Sequence, residues 1–148
     1  MQIKQADLFL GASHHFVREV MAIAEKQSYN AGEAVFHSGD PADFIFILIT
    51  GQVRLAAGDS GRVVYTSSKT GELFGWSSLI GRPTYSASAH CEAKTVLLQI
   101  DKNRLQKIIA REPAEGLLFF RQLAGALGDR LMEMYRIVDK MGSEAPRS

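Results

Sequence analysis

A chain of 148 residues, 46% apolar and 22% charged, is long enough for one domain with a sizeable core and too short for two ordinary ones. A formal net charge of +1 advertises no polyanion-binding surface, and a single cysteine, Cys91, allows no internal disulfide, which fits a reducing compartment. No apolar stretch approaches the roughly 20 residues of a membrane helix, and the apolar run in MQIKQADLFLGASHH is too short for a signal peptide, so a cytoplasmic protein with no membrane partner is expected.

Ser13 can cap a helix over 13–26, with Phe16, Val20, Ile23 and Ala24 on one face. From Tyr29 to Asp101 glycines recur between short β-branched and aromatic runs. FIFILIT (44–50) reads as a buried strand. QVRLAA (52–57) and RVVYTSS (62–68) flank a GDSG hairpin turn, YSASAHC (85–91) alternates small residues with larger or polar ones, and TVLLQID (95–101) is a second buried strand. Short antiparallel strands at close spacing predict a small barrel or jelly roll over 29–101. Helical periodicity then returns over 102–112 and, with Pro113 in the first turn, over 113–141, leaving a frayed tail at 142–148. Phe120, Ala124, Leu127, Leu131, Met134, Val138 and Met141 repeat at steps of four and three, a seam suited to a homodimer, although both apolar faces of the helix could instead pack within one chain. Leu117, Leu118, Leu123, Met132 and Ile137 form a second strip that could lie on the barrel.

The order helix, barrel, helix pair carries further marks. Gly39-Asp40 stands at a turn, Asp43 precedes the buried strand, Gly51-Gln52-Val53-Arg54-Leu55 opens a hairpin, and GELFGWSSLIGRPTYSASA spans 71–89. With these motifs the chain, over almost its whole length, resembles the cyclic-nucleotide-binding domain of catabolite-activator-type regulators, kinase regulatory subunits and gated channels. The resemblance implies one domain over 1–148: a mainly β, antiparallel β-roll of jelly-roll type with an N-terminal helix and C-terminal B and C helices, the last often a dimer seam. It implies a non-enzymatic regulatory sensor and places the phosphate-binding cassette at 71–89. In such a cassette a short helix offers free backbone N–H groups to a cyclic phosphate, an arginine neutralises the phosphate, and a glutamate accepts from the ribose.

Laid on that pattern, Phe74 and Gly75 are kept, Trp76 takes the glutamate's place, and Ser77, Ser78, Leu79 and Ile80 form the short helix. Arg82 falls in the turn, Tyr85 takes the arginine's place, and Ser86 matches the serine beside it. Losing both charged contacts removes on the order of 3–6 kcal/mol, or roughly a hundredfold to more than ten-thousandfold in affinity, so tight binding of cAMP or cGMP in the usual pose is not expected. Three readings stand: a different small ligand held by Trp76, Tyr85 and the serines; a nucleotide retained through Arg82 swinging in; or aromatics that fill the pocket of a dimeric protein-interaction module.

Other candidates are weaker. His14 and His15 are adjacent on a helix and point apart, and His37 and His90 have no paired neighbour in sequence, so no metal site and no metal-dependent barrel enzyme of the cupin type is expected. Cys91 reads as a core thiol. Arg121, Arg130 and Arg136 read as the charged flank of the long helix. The activator-type relatives continue into a helix-turn-helix, and no such element follows the long helix before Ser148, so no DNA partner is expected.

Overall fold

The computed structural model describes residues 7–58 and 60–144. Ser13 caps the first helix by accepting from the Phe16 amide at 3.1 Å, a contact worth about 1 kcal/mol. This helix, α1, covers His14–Ile23 and is shorter than expected. The chain turns extended at Ala24 and enters strand β1, Ala24–Tyr29, which pairs antiparallel with β8, Thr95–Asp101, in unbroken register from Ala24↔Ile100 to Tyr29↔Thr95. Glu25 and Lys26, expected to be helical, are exposed charges on a sheet edge, where they discourage pairing with another chain.

The remaining strands are β2 (Ala34–Phe36), β3 (Phe44–Thr50), β4 (Val53–Ala57), β5 (Arg62–Ser67), β6 (Leu73–Phe74) and β7 (Ala87–Cys91). They form two four-stranded antiparallel sheets, β1-β8-β3-β6 and β2-β7-β4-β5, a β-roll rather than a closed barrel. Helix α2 spans Lys102–Arg111, capped by Asp101, and α3 spans Pro113–Glu144. Part of the expected tail is thus helical; residues 145–148, and Asp59 of the expected hairpin turn, lie outside the described residues.

The period of two along β3 shows why FIFILIT is apolar throughout. Ile45 and Ile47 point to a core shared with the helices, which holds Phe16, Val20, Leu105, Ile108, Phe119 and Leu123. Phe46 and Leu48 point into the roll, against Phe36, Phe74, Tyr85 and Leu97. Both faces are buried from Ile45 to Leu48, so neither carries a polar residue until the exposed Thr50 at the strand's end.

Helix α3 divides the same way. Its first half is anchored: Phe119 meets Phe9 at 5.9 Å and Phe16 at 6.4 Å between ring centroids, and Glu115 accepts from the Ser13 amide at 3.1 Å. The expected seam is therefore not one continuous outward stripe, because Phe120 and Leu127 pack against the helix-side core. Leu131, Met134, Val138 and Met141 are 43–66% exposed. Nor does the second strip lie wholly on the roll: Leu123 is buried, but Leu117, Met132 and Ile137 are exposed.

Candidate functional site

Segment 71–89 begins in β6, turns at Gly75 and forms one turn of 3-10 helix at Trp76–Leu79. Gly75 has φ +76°, and a Cβ there would come within 2.9 Å of Phe46 Cδ2, so the left-handed turn and the close approach to β3 both require glycine. The segment then crosses to β7, and a cavity of about 480 Å³ lies between it, the second sheet and α3. The second sheet supplies Leu55, Ala57, Val64, Tyr65 and Ala87, and Phe36 closes the floor. Helix α3 supplies Leu127, Arg130, Leu131 and Met134.

Five of the eight cassette residues singled out in the sequence line this cavity: Gly75, Trp76, Ser77, Tyr85 and Ser86. The other three are placed elsewhere. Phe74 is fully buried in the roll, stacked on Phe46 at 5.3 Å. Ser78 is buried and donates its hydroxyl to the Gly75 carbonyl at 3.0 Å. Arg82, considered as a replacement cation, is exposed and outside the lining.

Trp76 and Tyr85 wall the cavity and leave it open. The Tyr85 ring is 4% exposed and stacks on Phe36 at 3.9 Å. Its hydroxyl donates to the Phe44 carbonyl at 2.6 Å and accepts from the Phe44 amide at 3.2 Å. The expected phenolic handle is thus committed to β3, and burial pushes its pKa up to about 12. Trp76 is half-buried and packs toward the helix-side core.

Arg130, read from sequence as part of a charged flank, is instead the charged side chain of the cavity wall. Its guanidinium lies 4.4 Å from the Tyr65 ring centroid, donates to the Leu73 carbonyl at 2.5 Å and approaches Glu72 Oε2 to 3.6 Å. Glu72 accepts from the Ser68 and Lys69 amides at 3.1 and 2.8 Å and from the Tyr65 hydroxyl. Burial, then the neighbouring Glu72, raise the Tyr65 pKa. The signal for Arg130 was available: Leu127, Arg130, Leu131 and Met134 stand at i, i+3, i+4 and i+7, one face of a helix.

Outside the cavity, His37 and His90 do meet, with ring centroids 5.7 Å apart. His15, Glu19 and Glu112 bring their ligand atoms within 4.8 Å of one another, but Glu19 is already held by Arg111 at 2.8 Å and by His15 at 2.5 Å. Cys91 is buried, and burial raises its thiol pKa, which disfavours the nucleophilic thiolate.

The family model for the cyclic nucleotide-binding domain matches residues 26–112, from the first strand to the end of α2. The chain belongs to the cyclic nucleotide-binding domain family. Among its relatives is the cyclic AMP receptor protein of Thermus thermophilus, 29% identical over 148 residues, which cover 99% of this chain and 67% of that protein. A putative potassium channel protein of Rhodopseudomonas palustris is 29% identical over 114 residues, 76% of this chain but only 27% of the channel protein. A crystal structure of a putative cyclic nucleotide-binding protein from Geobacter metallireducens superposes with a TM-score of 0.75 at 26% identity, covering 84% of this chain and 91% of that one. This cyclic nucleotide-binding domain spans about a quarter of the channel protein and two thirds of the receptor protein. The expectation of no DNA partner, which rested on where the chain stops, gains no support from such relatives. Among the described residues no helix is long and apolar enough to cross a membrane.

Proposed function

We propose that this domain is a non-enzymatic sensor that binds a small, mainly apolar ligand in the cavity beneath α3 and passes its occupancy along α3 to a second copy of the chain. The observation that carries the reading is the open cavity of about 480 Å³, walled by Trp76 and Tyr85 where the family's glutamate and arginine would stand. That space favours a ligand site over an aromatic-filled pocket. A chamber of this size with apolar walls and few polar groups is typical of a small-molecule site.

Tight cAMP or cGMP binding in the family's usual pose is not expected. No cation stands at the Tyr85 position, and the Tyr85 hydroxyl is spent on Phe44. Leu131 and Met134 support the relay, because they line the cavity and also belong to the exposed apolar stripe of α3. A ligand that changes their packing changes the surface offered to a partner.

A thermal-shift screen combined with the emission of Trp76, the chain's single tryptophan, tests the reading. Apolar small molecules should raise the melting temperature and perturb the emission, whereas cAMP and cGMP should do so only at millimolar concentrations. At a ligand concentration 100 times Kd the stabilisation should be about 2.7 kcal/mol. A screen in which no compound moves either signal would sink the sensor reading and leave an interaction module.

A further inference from the structure

The polar groups of the cavity are unequally satisfied. Glu72 has three protein donors besides Arg130: two backbone amides on Oε1 and the Tyr65 hydroxyl on Oε2. It needs no fourth. Arg130 is 16% exposed and carries five N–H donors. Among the described residues it donates to the Leu73 carbonyl, lies over the Tyr65 ring and pairs with Glu72 at 3.6 Å, slightly beyond hydrogen-bond length, which leaves N–H groups to spare. A partly buried guanidinium with N–H groups to spare favours a further acceptor that can reach it.

The surroundings limit what that acceptor can be. The guanidinium lies over the Tyr65 ring, which restricts how its fork can turn. The hydroxyls of Tyr65 and Tyr85 are occupied, so the remaining side-chain polar groups of the wall are the Ser77 and Ser86 hydroxyls and the Trp76 indole N–H. The other side chains of the wall, Arg130 apart, are apolar. The nearby Glu72 charge opposes a dianion, because two added negative charges would meet only one cation.

We infer that the ligand is a small ring-bearing monocarboxylate, with its apolar body against Trp76 and the α3 side chains and its carboxylate paired with Arg130. This rests on the sensor reading above and adds the charge and shape of what is sensed. It also places the charge-reading cation on the moving helix, away from the cassette position at which the family holds its arginine.

Isothermal titration calorimetry with 2-naphthoate and its neutral isostere 2-naphthamide separates the two claims. The carboxylate should bind about ten- to a hundredfold tighter than the amide, the range of a charge-assisted hydrogen bond. Arg130→Met should abolish that preference while leaving amide binding within about twofold, and retained amide binding shows that the variant is folded. If Arg130→Met does not fold, Arg130→Lys serves instead, and its preference should fall severalfold because lysine lacks the fork. 2-Naphthyl phosphate, a dianion, should bind more weakly than the carboxylate. Equal binding of carboxylate and amide, or a preference unchanged by substitution of Arg130, overturns the inference and leaves the sensor reading standing. Binding of neither compound also overturns the inference, and the sensor reading then stands or falls with the wider thermal-shift screen.

Discussion

The two halves of α3 use the same kinds of residue for opposite ends. Phe119, Phe120, Leu123 and Leu127 are turned into the chain's own core, and Phe119 closes a three-phenylalanine cluster with Phe9 and Phe16. Leu131, Met134, Val138 and Met141 stay largely exposed in a single chain. The first half holds the fold together, and the second half offers surface to something outside it. The boundary between them is the cavity, where Leu127 and Leu131 are neighbours in one wall. A side chain's apolar character therefore does not by itself reveal its use on this helix: Leu117 is exposed, whereas Phe119, two residues on, is buried.

Substitutions in the two halves should separate these uses. Phe119→Ala removes a ring that is 2% exposed and should cost about 3–5 kcal/mol, read from urea unfolding. A cost below about 1 kcal/mol would mean that the first half is not anchored as described. Gly116→Ala puts a methyl group against Ile109 Cγ2, and the overpacking should cost about 1–3 kcal/mol in the same measurement. At the other end, Val138→Glu with Met141→Glu should change monomer stability by no more than about 0.5 kcal/mol. The same pair should halve the mass found by sedimentation equilibrium if the stripe pairs with a second copy. An unchanged mass, whether one chain or two, would break the contrast between the halves.

What could be read from sequence follows from how local the signal is. β3 and β8 were delimited to the residue, because FIFILIT and TVLLQID are buried on both faces and their composition alone marks them as strands. β1 was missed. AEKQSY is polar, and what makes it a strand is the ladder it forms with β8 some 70 residues later, a pairing that overrides local helix preference. The motif singled out a segment that borders a cavity, but motif alone did not reveal the space beside it. That space depends on the Tyr85 hydroxyl reaching Phe44, 41 residues away, which draws the ring into the roll. Arg130 is hard to pick out because one arginine among three on a long helix looks like solvation; only its i+3 relation to Leu127 distinguishes it.

The contact at Gly116 has a mechanical consequence. There the backbone of α3 lies against Ile109 of α2, without room for one methyl group between them, so the helices are in contact at the root of α3 and diverge beyond it. At 1.5 Å per residue, Arg130 stands about 21 Å and Met141 about 37 Å along the helix from that point. A rotation of about 5° with Gly116 as fulcrum, which must carry the core contacts of Phe119, Leu123 and Leu127 with it, would displace Arg130 by about 2 Å and Met141 by about 3 Å. A ligand of the proposed kind, closing on Arg130, would push at mid-arm, and the far end would travel nearly twice as far.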